Sequence, residues 1–258
     1  MPQSLEALIE HLALAWQGGP ALSSADWSNC LSSAELAYAV QDGLAERLGW
    51  RQAGRPQFWK SGGPNRQSPL SHAPLAPIGV RSAAGGLPSF ADLGLRHAGA
   101  EAEIALRLAR DVSADALVGM SRDAAARLID AMTVAIELVD SRWQEAGDAP
   151  ALLRQADCLS HGGLAMGQWL PYQALDWSKQ NCELQINADA PQRACGSHSL
   201  GDPAWGLLDW LQHACRQGQV LPAGSVVTTG AWLVQGGLKP GDRVTASFEG
   251  LGRVSLAL

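Results

Sequence analysis

Ala100-Glu101-Ala102-Glu103-Ile104-Ala105-Leu106-Arg107-Leu108 reads as a β-strand with two unlike faces. Successive side chains on a strand point to opposite sides, so residues two apart share a face. Ala102, Ile104, Leu106 and Leu108 make one apolar face, and Glu101 and Glu103 stand side by side on the other. Two carboxylates that close repel, and each favours protonation of its neighbour. Such a pair persists in water or opposite a cation, so the stretch leaves two readings open: a solvated face or a metal site.

Thr133-Val134-Ala135-Ile136-Glu137-Leu138-Val139 is a second strand, apolar and β-branched with one acid in it. An ionised Glu is rarely buried without a partner. Alternation puts Glu137 on the face opposite Val134, Ile136 and Leu138. Three carboxylates from two strands would supply an oxygen-only site, the kind that Mg²⁺ or Mn²⁺ prefers. The competing reading for Glu137 is a salt bridge to Arg107 or Arg142.

The 258 residues, 47% hydrophobic and 17% charged, suit an ordinary globular protein with a sizeable core. The net charge of −6 and the lack of a basic run argue against nucleic acid or an anionic membrane surface as a partner. No apolar run is long enough to span a bilayer, and the first residues read as an amphipathic segment rather than a signal peptide. Five cysteines without metal-ligand spacing fit reduced thiols in a cytoplasm.

Outward from the two strands, residues 4–16 carry Leu5, Ile9, Leu12 and Trp16 at helical spacing, ended by Gly18-Gly19-Pro20. Ser32-Ser33-Ala34-Glu35 resembles a capping box for a helix running to about Leu48. From Gln52 to His97, prolines and glycines dissolve the pattern into an expected long loop, in which Phe58-Trp59-Lys60 is the one apolar piece. Lys60 is either a surface side chain or a cation aimed at an anionic substrate. A helix is expected over 121–132 and another from an Asp202 N-cap. Strands are expected at Leu164–Trp169, Cys182–Ala188, Ser225–Thr229, Arg243–Glu249 and Arg253–Leu258. The result is a mixed α/β chain, strand-rich toward its C-terminus.

Four pieces carry a family resemblance: Gly99-Ala100-Glu101-Ala102-Glu103-Ile104-Ala105, Ala135-Ile136-Glu137-Leu138-Val139-Asp140-Ser141-Arg142, Lys239-Pro240-Gly241-Asp242-Arg243-Val244 and Phe248-Glu249-Gly250-Leu251-Gly252. Together they resemble the fumarylacetoacetase-like superfamily, and within it the branch of 2-keto-4-pentenoate hydratases and 4-oxalocrotonate decarboxylases. The resemblance implies a β-roll with an N-terminal helical cap: residues 1–52 as the cap and 53–258 as the metal-binding part, continuous as one domain. It implies Mg²⁺ or Mn²⁺ on Glu101, Glu103 and Glu137, and a substrate-contacting or catalytic role for Lys60 in Phe58-Trp59-Lys60-Ser61-Gly62. Asp157-Cys158-Leu159-Ser160 is similar to another family segment, making Ser160 a catalytic or substrate-contacting candidate and Asp157 a supporting, substrate-binding one. Thr228-Thr229-Gly230 makes Thr229 and Gly230 substrate-binding candidates.

One departure stands out. Where the hydratases carry an acid after the lysine, this chain has Pro77-Ile78-Gly79. The implied activity is water addition to a 2-hydroxy-2,4-dienoate in aromatic catabolism. Its alternatives are decarboxylation of a 4-oxalocrotonate-type 2-oxo acid and a non-catalytic binding role. The expected partner is that small molecule, and the expected assembly is a homo-oligomer.

Overall fold

The computed structural model describes residues 4–52 and 55–258. Twelve residues, Leu5–Trp16, form α1, with the Ser4 hydroxyl accepting from the Ala7 N–H at its start. Gly18 and Gly19 end it; a Cβ on Gly19 would lie 2.7 Å from the Leu14 carbonyl oxygen, so the chain reverses tightly there. The second helix, α2, is Ala34–Arg47. Its N-cap is Ser33, one residue after the serine a Ser-x-x-Glu box would use. Leu8 and Leu12 of α1 and Val40 and Leu44 of α2 are fully buried between the helices, each stabilising the cap by about 1.5–3 kcal/mol.

The expected loop over 52–97 is instead built into the sheet. Phe58–Gly62 is β1, Ser71–Pro74 is β2 and Val80–Ser82 is β3. The two glutamate strands follow as β4, Gly99–Leu108, and β5, Ile129–Val139. The helix expected over 121–132 closes after Arg122–Ala126, because Ile129 to Met132 already belong to β5. Beyond it lie α3 at Ala151–Ala156, β6 at His161–Met166, β7 at Asn181–Ile186 and β8 at Gln192–Cys195. The Asp202 turn only leads toward the next helix, α4, which spans Leu207–Ala214 with Gly206 at its N-cap. Val226–Thr228 is β9, Leu233–Gln235 is β10, and Arg243–Phe248 and Gly252–Ala257 form the closing hairpin, β11 and β12.

A nine-stranded mixed sheet runs in the order β2-β1-β9-β4-β5-β6-β3, with β10 pairing beside β9 on β4 and Leu170–Pro171 pairing on β5. β1 and β9 are parallel, as are β3 and β6; the rest of this path is antiparallel. A second sheet, β8-β7-β11-β12, packs on one face of the first. That face carries Ala102, Ile104 and Leu106 of β4 with Val134, Ile136 and Leu138 of β5, and with Trp210, Val244 and Leu256 it makes the main core. The opposite face holds a smaller apolar floor of Ala105, Ala135, Leu164, Met166 and Val226. The helical cap has its own core, which takes in Ala73, Trp143, Leu153 and Cys158 from the rest of the chain. The described residues include no disulfide and no helix long and apolar enough to cross a membrane.

Candidate metal centre

In the antiparallel pair of β4 and β5, Glu101 lies directly opposite Glu137, while Glu103 lies opposite Ala135. Since all three are odd-numbered on strands in that register, they share the face bearing the small apolar floor. One carboxylate oxygen from each of Glu101, Glu103 and Glu137 lies within 4.8 Å of the others. Glu103 and Glu137 are buried, and Glu101 is partly exposed to a cleft of about 400 Å³ lined also by Lys60, Gly62, Ser199, Thr228 and Gly230. Clefts of about 450 and 510 Å³ open elsewhere over the second sheet, but neither gathers acids in this way.

Lys60 reaches this group from β1, across Thr228 of β9. Its Nζ donates to Glu137 Oε1 at 2.7 Å and to the Leu159 carbonyl at 3.3 Å. That carbonyl is delivered by an unusual turn. Cys158, Leu159 and Ser160 all adopt positive φ, at 49°, 54° and 59°, which costs of order 1–2 kcal/mol per residue without a Gly. Glu137 also accepts from Thr228 Oγ1 at 3.4 Å on Oε2 and contacts His161 Nδ1 at 3.3 Å on Oε1. The Gly230 N–H donates to Glu103 Oε2 at 3.0 Å. Gly230 sits at φ +113°, a conformation that a side chain resists.

The electrostatics of the group are unbalanced, with three acids facing one ammonium. Burial, then Glu137 and Glu101, push the Glu103 carboxyl well above its ordinary value. Burial would also raise Glu137, but Lys60 and His161 outweigh it and hold that carboxyl low. Burial would lower Lys60, yet Glu137, Glu101 and Glu103 outweigh it and keep the ammonium protonated above its ordinary range. A surplus of buried negative charge on oxygen ligands alone suits a hard divalent cation. The residues present thus fit such an ion.

The other sequence candidates are placed differently. Asp157 is wholly buried away from the cleft, accepting from the Arg142 backbone N–H at 2.9 Å, Arg142 Nε at 2.6 Å and Trp16 Nε1 at 3.1 Å. Ser160 does not line the cleft; its N–H donates to the Asp157 carbonyl and its own carbonyl accepts from Asp140. Its neighbour Leu159 lines the cleft instead. Thr229 turns its hydroxyl onto the Ile104 carbonyl at 2.8 Å and so fastens β9 to β4, while Gly230 lines the cleft. Neither arginine proposed for Glu137 reaches it: Arg107 pairs with Asp130 and Arg142 with Asp157. Sequence reasoning missed His161, Thr228 and Ser199. Beginning β6 at Leu164 left His161 outside the strand pattern, whereas period-two alternation in β9 would have set Thr228 on the face opposite Val227.

The fumarylacetoacetate (FAA) hydrolase C-terminal family model matches residues 52–257. A 2-keto-4-pentenoate hydratase from Paraburkholderia phymatum is 30% identical over 86% of this chain and 84% of its own. A 4-oxalocrotonate decarboxylase from a Pseudomonas species is 28% identical over 50% of each chain, so the match spans half of that relative's length. Among solved structures, the 4-oxalocrotonate decarboxylase of Pseudomonas putida G7, complexed with magnesium and adipate, superposes with a TM-score of 0.80. That likeness covers 98% of this chain and 96% of the other at 20% identity, and it is a likeness of fold. The family model, the mixed two-sheet architecture and the acid trio on paired strands agree: this chain belongs to the fumarylacetoacetate hydrolase C-terminal family.

Proposed function

We propose that the chain is a divalent-metal-dependent lyase that adds water to a 2-hydroxy-2,4-dienoate, the enol of a 2-oxo-alkenoate. In this reading Glu101, Glu103 and Glu137 hold Mg²⁺ or Mn²⁺, and Lys60 is the catalytic cation. The observation that carries it is the convergence of three carboxylates and one lysine at the base of a cleft. The hydratase from Paraburkholderia phymatum, matched over most of both chains, supports the reaction class. The magnesium bound by the Pseudomonas putida neighbour supports the ion.

A cation at the trio would act as a Lewis acid toward a chelating 2-oxo acid, stabilising charge that develops on the keto oxygen. The chain's own groups do the rest. Lys60 presents an N–H beside Glu137 for a substrate oxygen. The Gly230 N–H fixes Glu103. Ser199, whose hydroxyl donates to the Gly63 carbonyl, lines the cleft with lone pairs left to accept from water or substrate.

Decarboxylation of a 4-oxalocrotonate-type acid is the second reading, and one observation favours it. Among the described residues, no acid beyond Glu101 and Glu103 lines the cleft, and Ile78 is 76% exposed in the segment where the hydratases carry theirs. Loss of CO₂ needs an electron sink but no acid to activate water. A non-catalytic role is favoured by the same gap. Assays with 2-hydroxypenta-2,4-dienoate and with 4-oxalocrotonate, each with Mg²⁺ or Mn²⁺, separate the three. Turnover of the first substrate supports the hydratase, turnover of the second alone the decarboxylase, and metal uptake without turnover the binding role. We further infer a homo-oligomer, which light scattering on the purified chain would test.

A further inference from the structure

His161 opens β6 and is fully buried, with its Nδ1 against the same Glu137 oxygen that Lys60 touches. A carboxylate only accepts, so Nδ1 carries the hydrogen and Nε2 is a bare acceptor. That Nε2 is buried with no hydrogen-bond partner. An orphaned buried acceptor costs stability, and a leucine of similar size would fill the space without that cost. Packing alone therefore does not account for a histidine here.

His161 is also tied through its main chain and flanked on one side by an aromatic ring. The His161 carbonyl accepts from Arg142 Nη1 at 2.7 Å. The imidazole lies beside the Trp16 indole, centroids 6.2 Å apart, and Trp16 is itself held by Asp157 and covered by the Arg142 guanidinium at 3.7 Å. The last residue of α1 thus closes the side of the imidazole, and the helical cap is connected to Glu137 through one ring.

We propose that His161 is a positioning residue for Glu137: its Nδ1–H restrains the carboxylate so that it meets Glu101 and Glu103 at a common point. This rests on the metal-centre reading above. Partners that orient a ligand from behind typically change metal affinity by 10–100-fold.

The test is Mn²⁺ titration calorimetry on the full chain, with thermal melting of each protein in excess chelator. His161→Leu is expected to weaken Mn²⁺ binding about tenfold or more, whereas His161→Asn, which keeps an N–H, stays within about threefold of the wild type. The metal-free leucine variant is expected to stay folded and melt close to the wild-type temperature, because the N–H lost to Glu137 is offset by removing the orphaned Nε2. A leucine variant that binds Mn²⁺ as tightly as the wild type overturns the inference, as does an asparagine variant that loses as much affinity as leucine. A leucine variant that melts far lower or fails to fold also overturns it, because the histidine is then a stabilising core residue. If the wild type takes up no Mn²⁺, the metal reading itself falls and this inference with it. Unchanged binding by the leucine variant beside a binding wild type sinks the inference alone.

Discussion

Two ion pairs lie buried within a few residues of each other in the fold, and they are built differently. Arg142 and Asp157 meet at 2.6 Å, one charge for one charge, with Trp16 supplying a further donor to the carboxylate. Burial lifts the Asp157 carboxyl even with Arg142 beside it, which reflects how costly it is to take the pair out of water. Lys60 and Glu137 meet at 2.7 Å, but Glu101 and Glu103 crowd the same ammonium and a cleft opens over them. The first pair is balanced and closed, and it joins the cap to the turn at 157–161. The second has surplus negative charge and an opening, which is what a site that takes up a cation requires. Both acids are wholly buried, so burial alone does not tell architecture from function; charge balance and access do.

The largest expected effect comes from relieving the surplus. Glu103→Gln should lower turnover at least about 100-fold by removing a ligand. Without metal the same variant should melt higher than the wild type at pH 7. The raised Glu103 carboxyl means that folding favours its protonated form, so this group's contribution to metal-free stability is complete at low pH and is lost as pH rises through the folded value. Glutamine removes that loss. Steady-state assay and calorimetry in chelator check the two halves.

Breaking each pair from its cationic side comes next. Arg142→Leu strands a buried carboxylate and should cost about 3–5 kcal/mol in urea unfolding, whether or not Mg²⁺ is added. Lys60→Met should destabilise the metal-free protein too, but Mg²⁺ should restore part of the loss, since a cation can take over the neutralisation. Equal insensitivity to Mg²⁺ in both variants would erase the contrast between the pairs.

A third measurement separates the pH response of these pairs from that of the surrounding sheet. Burial holds His72 neutral, lowered to about 4, beneath its hydrogen bond with Ser61. Its folded value is depressed, so the unfolded chain binds the extra proton between about 6.5 and 4. Its contribution is complete above that window and disappears as pH falls through it, by as much as about 3 kcal/mol. Urea midpoints at pH 7 and 4.5 should differ less in His72→Gln than in the wild type. The smallest effect is expected for Trp16→Phe, which gives up the N–H to Asp157 but keeps a ring under Arg142, at about 1 kcal/mol.

Much of the framework can be read locally. Alternation over 100–108 and 133–139 identifies both central strands and the face each glutamate takes, and Ser4 marks the start of α1. The hairpin around Gly250 is equally legible. What escapes is non-local. Phe58–Gly62 looks like loop because its partners are Val226–Thr228, far along the chain, and a proline-flanked strand at Ser71–Pro74. The helix expected through 132 ends early because residues 129–132 extend a buried sheet, where tertiary pairing overrides local preference. Asp157 was legible as an important acid, but not as one spent on Arg142.

The amino-acid order by itself determined that Glu101 and Glu103 share a face and that Glu137 opposes its apolar neighbours, because strand geometry repeats every two residues. Only the tertiary structure decided that Glu137 stands directly across from Glu101, that the cation beside it is Lys60 rather than Arg107 or Arg142, and that His161 stands behind it. Register and long-range pairing depend on which whole faces exclude water together, and no short stretch of sequence contains that information.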